Sequence, residues 1–343
     1  MFAAVRADRV GRRVAAQERR GPLAARLTTV FIDGHEYDYR VVPIERIRAA
    51  AQRARPYVLR TPLLPVEGAQ LKAECLQPTG SFKVRGFFAA ALALPPEQLK
   101  RGLITVSAGN AAQACAYAAH TLGVTCRVVM FDTAPAIKVQ GVKRWGATPI
   151  PMPREDLFRW IETEGWKNEP EAFLHPFNDD ELMAGNGGLG LELIEDVPDL
   201  ARVLVPVGGG GLVTGVASAL KGSKPGIEVI GVQSDGYAMW PRVFEAGGPV
   251  PMKVETIADG TTAPFDAKML GLLKEVVDRW LNVPEPRLKA AIPELAAKAK
   301  VVAEGAGALA YAALEQLPPG PPTVAIVSGG NIDPALLSTL LSS

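Results

Sequence analysis

Val203-Leu204-Val205-Pro206-Val207 runs directly into Gly208-Gly209-Gly210-Gly211 and then into the helical stretch Leu212 to Lys221. An apolar run of strand length, bounded by a turn, describes a strand covered on both faces, as in a parallel sheet. Four glycines at a strand-to-helix junction allow backbone N–H groups to converge on an anion at a helix N-terminus. A flexible turn is the plain alternative, but so many glycines lower stability unless a ligand needs them. No Gly-x-Gly-x-x-Gly register fits Gly208 to Gly215, so this is not a dinucleotide fingerprint. No Gly-Lys-Ser/Thr follows either, which excludes a Walker loop.

The same alternation extends outward in both directions. Strands are expected at Thr61–Leu64, Leu71–Glu74, Leu103–Ser107, Thr125–Met130, Thr148–Pro151, Glu228–Gln233 and Thr323–Val327. Helices are expected from Pro43 to Arg53, Val84 to Leu94, Ala111 to Leu122, Pro135 to Gly146 (capped by Thr133), Arg154 to Glu164 and Gly187 to Glu195, then from Tyr237, from Ala267 to Trp280, Ala290 to Val302, Ala306 to Gln316 and Pro334 to Leu341. Trp166 to Asp180 reads as an irregular crossover, and Asp33-Gly34 as the turn of a short hairpin within Thr28–Val42. Apolar strands alternating with helices give an α/β fold. At 343 residues two lobes are expected, each with a mostly parallel sheet flanked by helices. The expected division is an Arg-rich extension over 1–30, a large lobe from 31–70 and 171–343, and a small lobe over 71–170.

Composition narrows the class. A hydrophobic fraction of 48%, a charged fraction of 21% and a net charge of +1 describe an ordinary globular protein with no signature for nucleic acid or an acidic membrane. No apolar run approaches the ~20 residues of a membrane span. Cys75, Cys115 and Cys126 have no paired spacing and read as reduced thiols of a cytoplasmic protein. His35, His120 and His175 are scattered without metal-ligand spacing, so no metal is expected. The first 30 residues hold Arg6, Arg9, Arg12, Arg13, Arg19, Arg20 and Arg26 but no serine and no apolar core, which fits an organellar or secretory leader poorly. A loose extension, or a start codon assigned too early, is the expectation.

In α/β sheets ligands bind where strands lead into helices. Besides the glycine loop, Ser107-Ala108-Gly109-Asn110-Ala111 enters a helix directly and offers N–H groups and a carboxamide to a carboxylate; a plain N-cap by Asn110 explains that loop equally well. Ser328-Gly329-Gly330-Asn331 follows the last strand and by itself is only a turn. Pro78-Thr79-Gly80-Ser81-Phe82-Lys83 places one amine at a helix start, where the dipole disfavours ammonium. Alone, it describes a solvated lysine; beside an anion loop, it describes a nucleophilic amine.

Taken in order, Ser-Phe-Lys, Ser-Ala-Gly-Asn, Gly-Gly-Gly-Gly-Leu, Thr-Ile-Ala-Asp-Gly (Thr256–Gly260), Ala-Glu-Gly-Ala-Gly (Ala303–Gly307) and Ser-Gly-Gly-Asn resemble the fold-type II (tryptophan synthase β-like) pyridoxal phosphate enzymes, and among them the threonine/serine dehydratases and serine racemases. The resemblance runs from about Pro43 to Asp333. It implies pyridoxal 5'-phosphate held by Lys83 as a Schiff base, with Phe82 against the ring. It implies Gly208, Gly209, Gly210, Gly211 and Leu212 at the phosphate, Asn110 near the ring oxygen and Ser328 at the pyridine nitrogen. Ser107, Ala108, Gly109, Asn110 and Ala111 are implied to bind the substrate carboxylate. The activity implied is dehydration and deamination of a β-hydroxy amino acid, L-threonine or L-serine, to a 2-oxo acid and ammonia, with Lys83 as base. A homo-oligomer, dimer or tetramer, is implied as well.

Racemisation needs a second acid/base across the substrate, and the serine racemases that the sequence resembles use a serine where Ala108 stands. Elimination is therefore expected over racemisation. Gly185-Asn186-Gly187-Gly188 stands where relatives commonly have Gly-Gln-Gly-Thr, which gives the expectation of an enlarged pocket open to phenylserine or hydroxyaspartate. Gln233, Tyr237 and Met239 occupy the region of the racemases' divalent-metal carboxylates, so no such site is expected. With a short chain after Ser328, no regulatory domain and no isoleucine feedback are expected. A threonine synthase-like β/γ-replacement enzyme and a non-catalytic cofactor-binding protein are the rival readings.

Overall fold

The computed structural model describes residues 16–18, 27–32 and 35–342, with side chains from residue 41 onward. Most of the expected Arg-rich extension and the Asp33-Gly34 turn lie outside the described residues. The strands Leu27–Ile32 and His35–Arg40 pair antiparallel, as the hairpin reading expects.

Two sheets carry the molecule. The larger has six strands in the order Arg279–Val283, Glu228–Ser234, Arg202–Pro206, Thr323–Ile326, Ala69–Lys72, Leu63–Val66. All its pairings are parallel except the hairpin at one edge, Leu63–Val66 with Ala69–Lys72. The smaller has four parallel strands in the order Thr148–Met152, Cys126–Phe131, Leu103–Val106, Ala172–Phe173. Helices pack on these sheets because the strands are apolar on both faces: Val203, Leu204, Val205, Val324, Ala325 and Ile326 are fully buried.

The topology makes one crevice in each sheet. In the larger, the chain steps outward from Arg202–Pro206 to one side, while Thr323–Ile326 lies on the other, so strand order reverses between these two. In the smaller the reversal falls between Leu103–Val106 and Ala172–Phe173. Loops at the carboxyl ends of such a strand pair splay apart and leave a cleft for a ligand. Gly208–Gly211 and Ser328–Asn331 leave the first reversal; Ser107–Gly109 and Leu174–Phe177 leave the second.

Three helices join the lobes at close range. Asp180–Asp196 packs between Lys83–Ala93 and Gly211–Ser223. At Gly187 a Cβ would stand 2.8 Å from Ile47 Cγ2 and 2.9 Å from the Gly215 carbonyl, so only glycine permits the approach. Gly188 faces Ala51, whose Cβ would be 3.0 Å from an added Cβ. The expectation that this stretch enlarges the substrate pocket is corrected: the missing threonine side chain leaves room that another helix fills.

Two of the three remaining differences have tertiary causes. The helix expected through Trp280 ends at Val276, and Arg279–Val283 is a strand. Asp278 interrupts it, accepting the Val229 N–H at 2.8 Å, and parallel pairing with Ile230–Ser234 takes over. Ala172–Phe173, read as part of an irregular crossover, adds a strand to the small sheet. The helix expected to be capped by Thr133 starts at Ala136 with Pro135 at the N-cap position and no side-chain cap. Among the described residues no helix is long and apolar enough to cross a membrane.

Candidate active site

Lys83 opens the Lys83–Ala93 helix and stands between the two crevices. Its turn is tied to the large sheet's crevice: the Phe82 N–H donates to Ser328 O at 3.0 Å, and the Gly330 N–H to Gly80 O at 2.8 Å. Gly80, at φ +72°, makes the bend. The amine itself reaches the small sheet's crevice, where Lys83 Nζ donates to Pro176 O at 2.7 Å. Nζ also lies 5.2 Å from the Phe82 ring centroid. No carboxylate stands within ion-pair distance of it among the described residues. Burial therefore lowers Lys83 to about 8, with Glu304 partly opposing the shift. Desolvation is the cause that lowers it.

The first two turns of the same helix are anchored by a buried ion network. Arg85 donates to Glu74 through Nε at 2.7 Å and Nη2 at 2.8 Å, and to Glu192 through Nη1 at 2.7 Å. Lys72 Nζ lies 2.8 Å from Glu192 and donates to Thr61 O at 2.8 Å. Each charge in this cluster is paired, which is what keeps buried ions tolerable.

The glycine loop turns tightly after Pro206. Gly210 adopts φ +96°, the left-handed region that glycine takes without strain. A Cβ on Gly209 would overlap the Phe177 ring, so the loop lies flat on that residue. The Val207 N–H pairs with Val232 O at 2.9 Å, but the N–H groups from Gly208 through Val213 have no acceptor among the described residues. A row of free amides at a helix start, with a left-handed residue in it, is a nest for an anion.

Ser107 to Ala111 lies in the small sheet's crevice. The Gly109 N–H donates to Ser107 Oγ at 3.0 Å, while those of Ala108, Asn110, Ala111 and Ala112 have no acceptor among the described residues. Asn110 is the first residue of its helix and not the cap; Gly109 holds that position. The Asn110 carboxamide instead crosses to the large lobe, donating from Nδ2 to Glu304 Oε1 at 2.5 Å and accepting at Oδ1 from Asn331 Nδ2 at 2.7 Å. Ser328 is buried, and its hydroxyl reaches only Ala306 O, at 3.4 Å. Ser81 Oγ and Thr79 Oγ1 are buried without any hydrogen-bond partner among the described residues.

The fold thus brings Lys83, Phe82, Asn110, Gly208–Leu212 and Ser328 to one place. Sequence reading missed three members. Pro176 supplies the carbonyl and Phe177 the floor of the glycine loop, and neither carries a motif signal. Glu304 lies inside a quoted motif, Ala303–Gly307, but had no role. His175 accepts the Asn178 N–H at Nδ1 (2.8 Å), and burial, with the charges of Lys83 and Lys268, lowers it to about 4, so it is a neutral structural group.

A run of free amides for a phosphate and a carboxylate-free amine for an aldehyde fit pyridoxal phosphate. The barely engaged Ser328 hydroxyl fits its ring nitrogen. Residues 54–329 match the family model for pyridoxal-phosphate dependent enzymes. The chain is 37% identical to the catabolic L-threonine dehydratase of Staphylococcus aureus (strain USA300) over 315 residues, covering 85% of this chain and 90% of that one. Among solved structures it resembles maize serine racemase (TM-score 0.81, 31% identity, 88% and 97% of the two chains) and a threonine deaminase from T.th. (TM-score 0.77, 35% identity, 85% and 99%).

Proposed function

The chain belongs to the pyridoxal-phosphate dependent enzymes, and from that premise we propose that it eliminates water from L-threonine or L-serine, releasing a 2-oxo acid and ammonia. The observation that carries this reading is the placement of Lys83: an amine at the meeting point of both crevices, lowered to about 8, with no carboxylate within ion-pair distance among the described residues.

Each residue has a task in it. The amides from Gly208 to Val213 hold the cofactor phosphate, and Ser328 meets the ring nitrogen with a neutral hydroxyl. Lys83 would hold the cofactor at its aldehyde carbon and, as a free amine, would take the proton from the substrate Cα. When bound, the cofactor supplies the electron sink that accepts the charge left at Cα. The free amides of Ala108 to Ala112 receive the substrate carboxylate, which fixes which bond at Cα faces Lys83. A hydroxyl at Ser328 would leave the ring nitrogen neutral, where a carboxylate would hold it protonated. Across the substrate stands Ala108, a methyl group that moves no proton. Elimination follows and racemisation does not.

A cytoplasmic setting and a dimeric or tetrameric assembly belong to the same reading. The free thiols of Cys115 and Cys126, with Sγ atoms 3.7 Å apart, support a reducing compartment. Light scattering reads the assembly. The central experiment is a 2-oxo acid release assay across threonine, serine, phenylserine and hydroxyaspartate. Turnover is expected on threonine or serine. Inactivity on all four, together with replacement chemistry on a phosphorylated substrate, makes the protein a threonine synthase-like enzyme instead.

A further inference from the structure

Glu304 is buried in the site yet has no task in that reaction. It occupies the N-cap position of the Gly305–Ala312 helix, but its side chain does not cap that helix. The carboxylate turns away to Asn110, while its own N–H donates to Gly329 O at 3.1 Å. A Cβ on Gly329 would overlap Glu304 Oε1 and come within 3.2 Å of Asn110 Nδ2, so the loop is glycine where this contact forms.

A carboxamide can present either end to a neighbour, and its orientation is set by partners that can only accept or only donate. Here two such partners act in series. Thr79 O, an obligate acceptor, takes Asn331 Nδ2 at 2.7 Å and so fixes which end of Asn331 faces Asn110. Ionised Glu304, also acceptor-only, takes one of the two Asn110 Nδ2 protons. The second proton on that nitrogen is then free to point into the site.

Resting on the pyridoxal phosphate reading above, we propose that Glu304 is a positioning residue: it locks the rotation of the Asn110 carboxamide so that its remaining N–H is presented to the cofactor. The groups facing Glu304 are Asp259 from the Asp259–Thr261 turn, Lys138 from the Ala136–Lys143 helix, Lys83, and Cys75, whose thiol it helps to raise. Burial, with repulsion from Asp259, raises Glu304 to about 7; Asn110, Lys138 and Lys83 oppose the rise. The lock is thus fully set only above neutral pH, and loosens as the carboxyl takes its proton.

The test is a double-mutant cycle on the protein loaded with pyridoxal phosphate, read by cofactor affinity, by the cofactor absorbance band against pH, and by kcat/KM. Glu304→Ala and Asn110→Ala are each expected to weaken cofactor binding about tenfold, and the double variant to be within about twofold of Asn110→Ala, since both remove one interaction. Glu304→Gln keeps an acceptor oxygen but adds a donor, as a protonated carboxyl does; it is expected to recover part of the affinity while losing the transition near pH 7. Losses that multiply in the double variant, or a Glu304→Gln band that titrates as in wild type, overturn the proposal. Should Glu304→Ala fail to fold, the Glu304→Gln titration decides alone. Wild-type protein that takes up no cofactor sinks the parent reading together with this one; wild-type uptake with multiplying losses sinks only this one.

Discussion

Lys72 and Lys83 lie on neighbouring elements and have opposite surroundings. Lys72 is completely enclosed, and its ammonium finds Glu192 at 2.8 Å, Asp196 at 3.5 Å and the Thr61 carbonyl at 2.8 Å. Lys83 remains partly accessible, and its amine finds one carbonyl and an aromatic ring. The first set of partners favours charge; the second withholds it. On the proposed function, the structural lysine is marked by the carboxylates around it, and the reactive one by burial with no carboxylate at ion-pair distance.

Exchanging either lysine is the strongest way to break that contrast. Lys83→Ala is expected to lower turnover by more than about a thousandfold and to abolish the yellow band with pyridoxal phosphate, leaving thermal stability near wild type. A residual band of full intensity ends the assignment. Lys72→Ala is expected to do the reverse. It removes the buried ammonium between Glu192 and Asp196, leaving Glu192 to Arg85 alone, and destabilises the fold by about 3 kcal/mol in urea unfolding, while folded protein still turns yellow. Gly209→Ala probes the anion side: a methyl group driven into the Phe177 ring is expected to weaken cofactor binding about tenfold or more by spectroscopic titration, with little change at Lys83.

The pH dependence sharpens the contrast further. With Lys83 lowered to about 8, its ammonium is disfavoured in the fold, so the reactive neutral form grows as pH rises. The rate at which apo-protein acquires the yellow band is expected to climb about tenfold per pH unit below that value and to level off above it. In stability, as pH falls from the ordinary lysine range toward 8, the unfolded chain takes up a proton that folded Lys83 does not, so the fold loses stability over that window. The smallest effect is expected at Asp259, whose pair with Lys138 at 2.6 Å spans the two lobes, with Asp259 exposed and Lys138 half-buried. Asp259→Asn is expected to change unfolding stability by no more than about 0.5 kcal/mol. It is also expected to shift the transition assigned to Glu304 downward, because a repelling charge is gone.

The motifs were legible because each one is local chemistry. A glycine tetrad between a buried strand and a helix, a small-residue loop before Asn110, and an amine at a helix start are recognisable wherever they occur, since the backbone conformation they need is set by neighbours in the chain. The two-sheet α/β architecture was legible for the same reason, from strand and helix periodicity. Arg279–Val283 was not, because its run reads as helix until a long-range partner, Glu228–Ser234, offers parallel hydrogen bonds. Gly188 misled for a related reason: a missing side chain announces a space but not which neighbour fills it, and here Ala51 does.

By itself the sequence pointed to Lys83, Asn110, Ser328 and the run after Val207 as candidate site residues. Only the tertiary structure decided what surrounds them. The carbonyl of Pro176, the Phe177 ring under the glycine loop and the Glu304 carboxylate on Asn110 come from segments distant in the chain, brought together by the reversal of strand order in two sheets. Reactivity depends on those partners because burial and nearby charge, rather than residue type, decide whether an amine is a cation or a nucleophile.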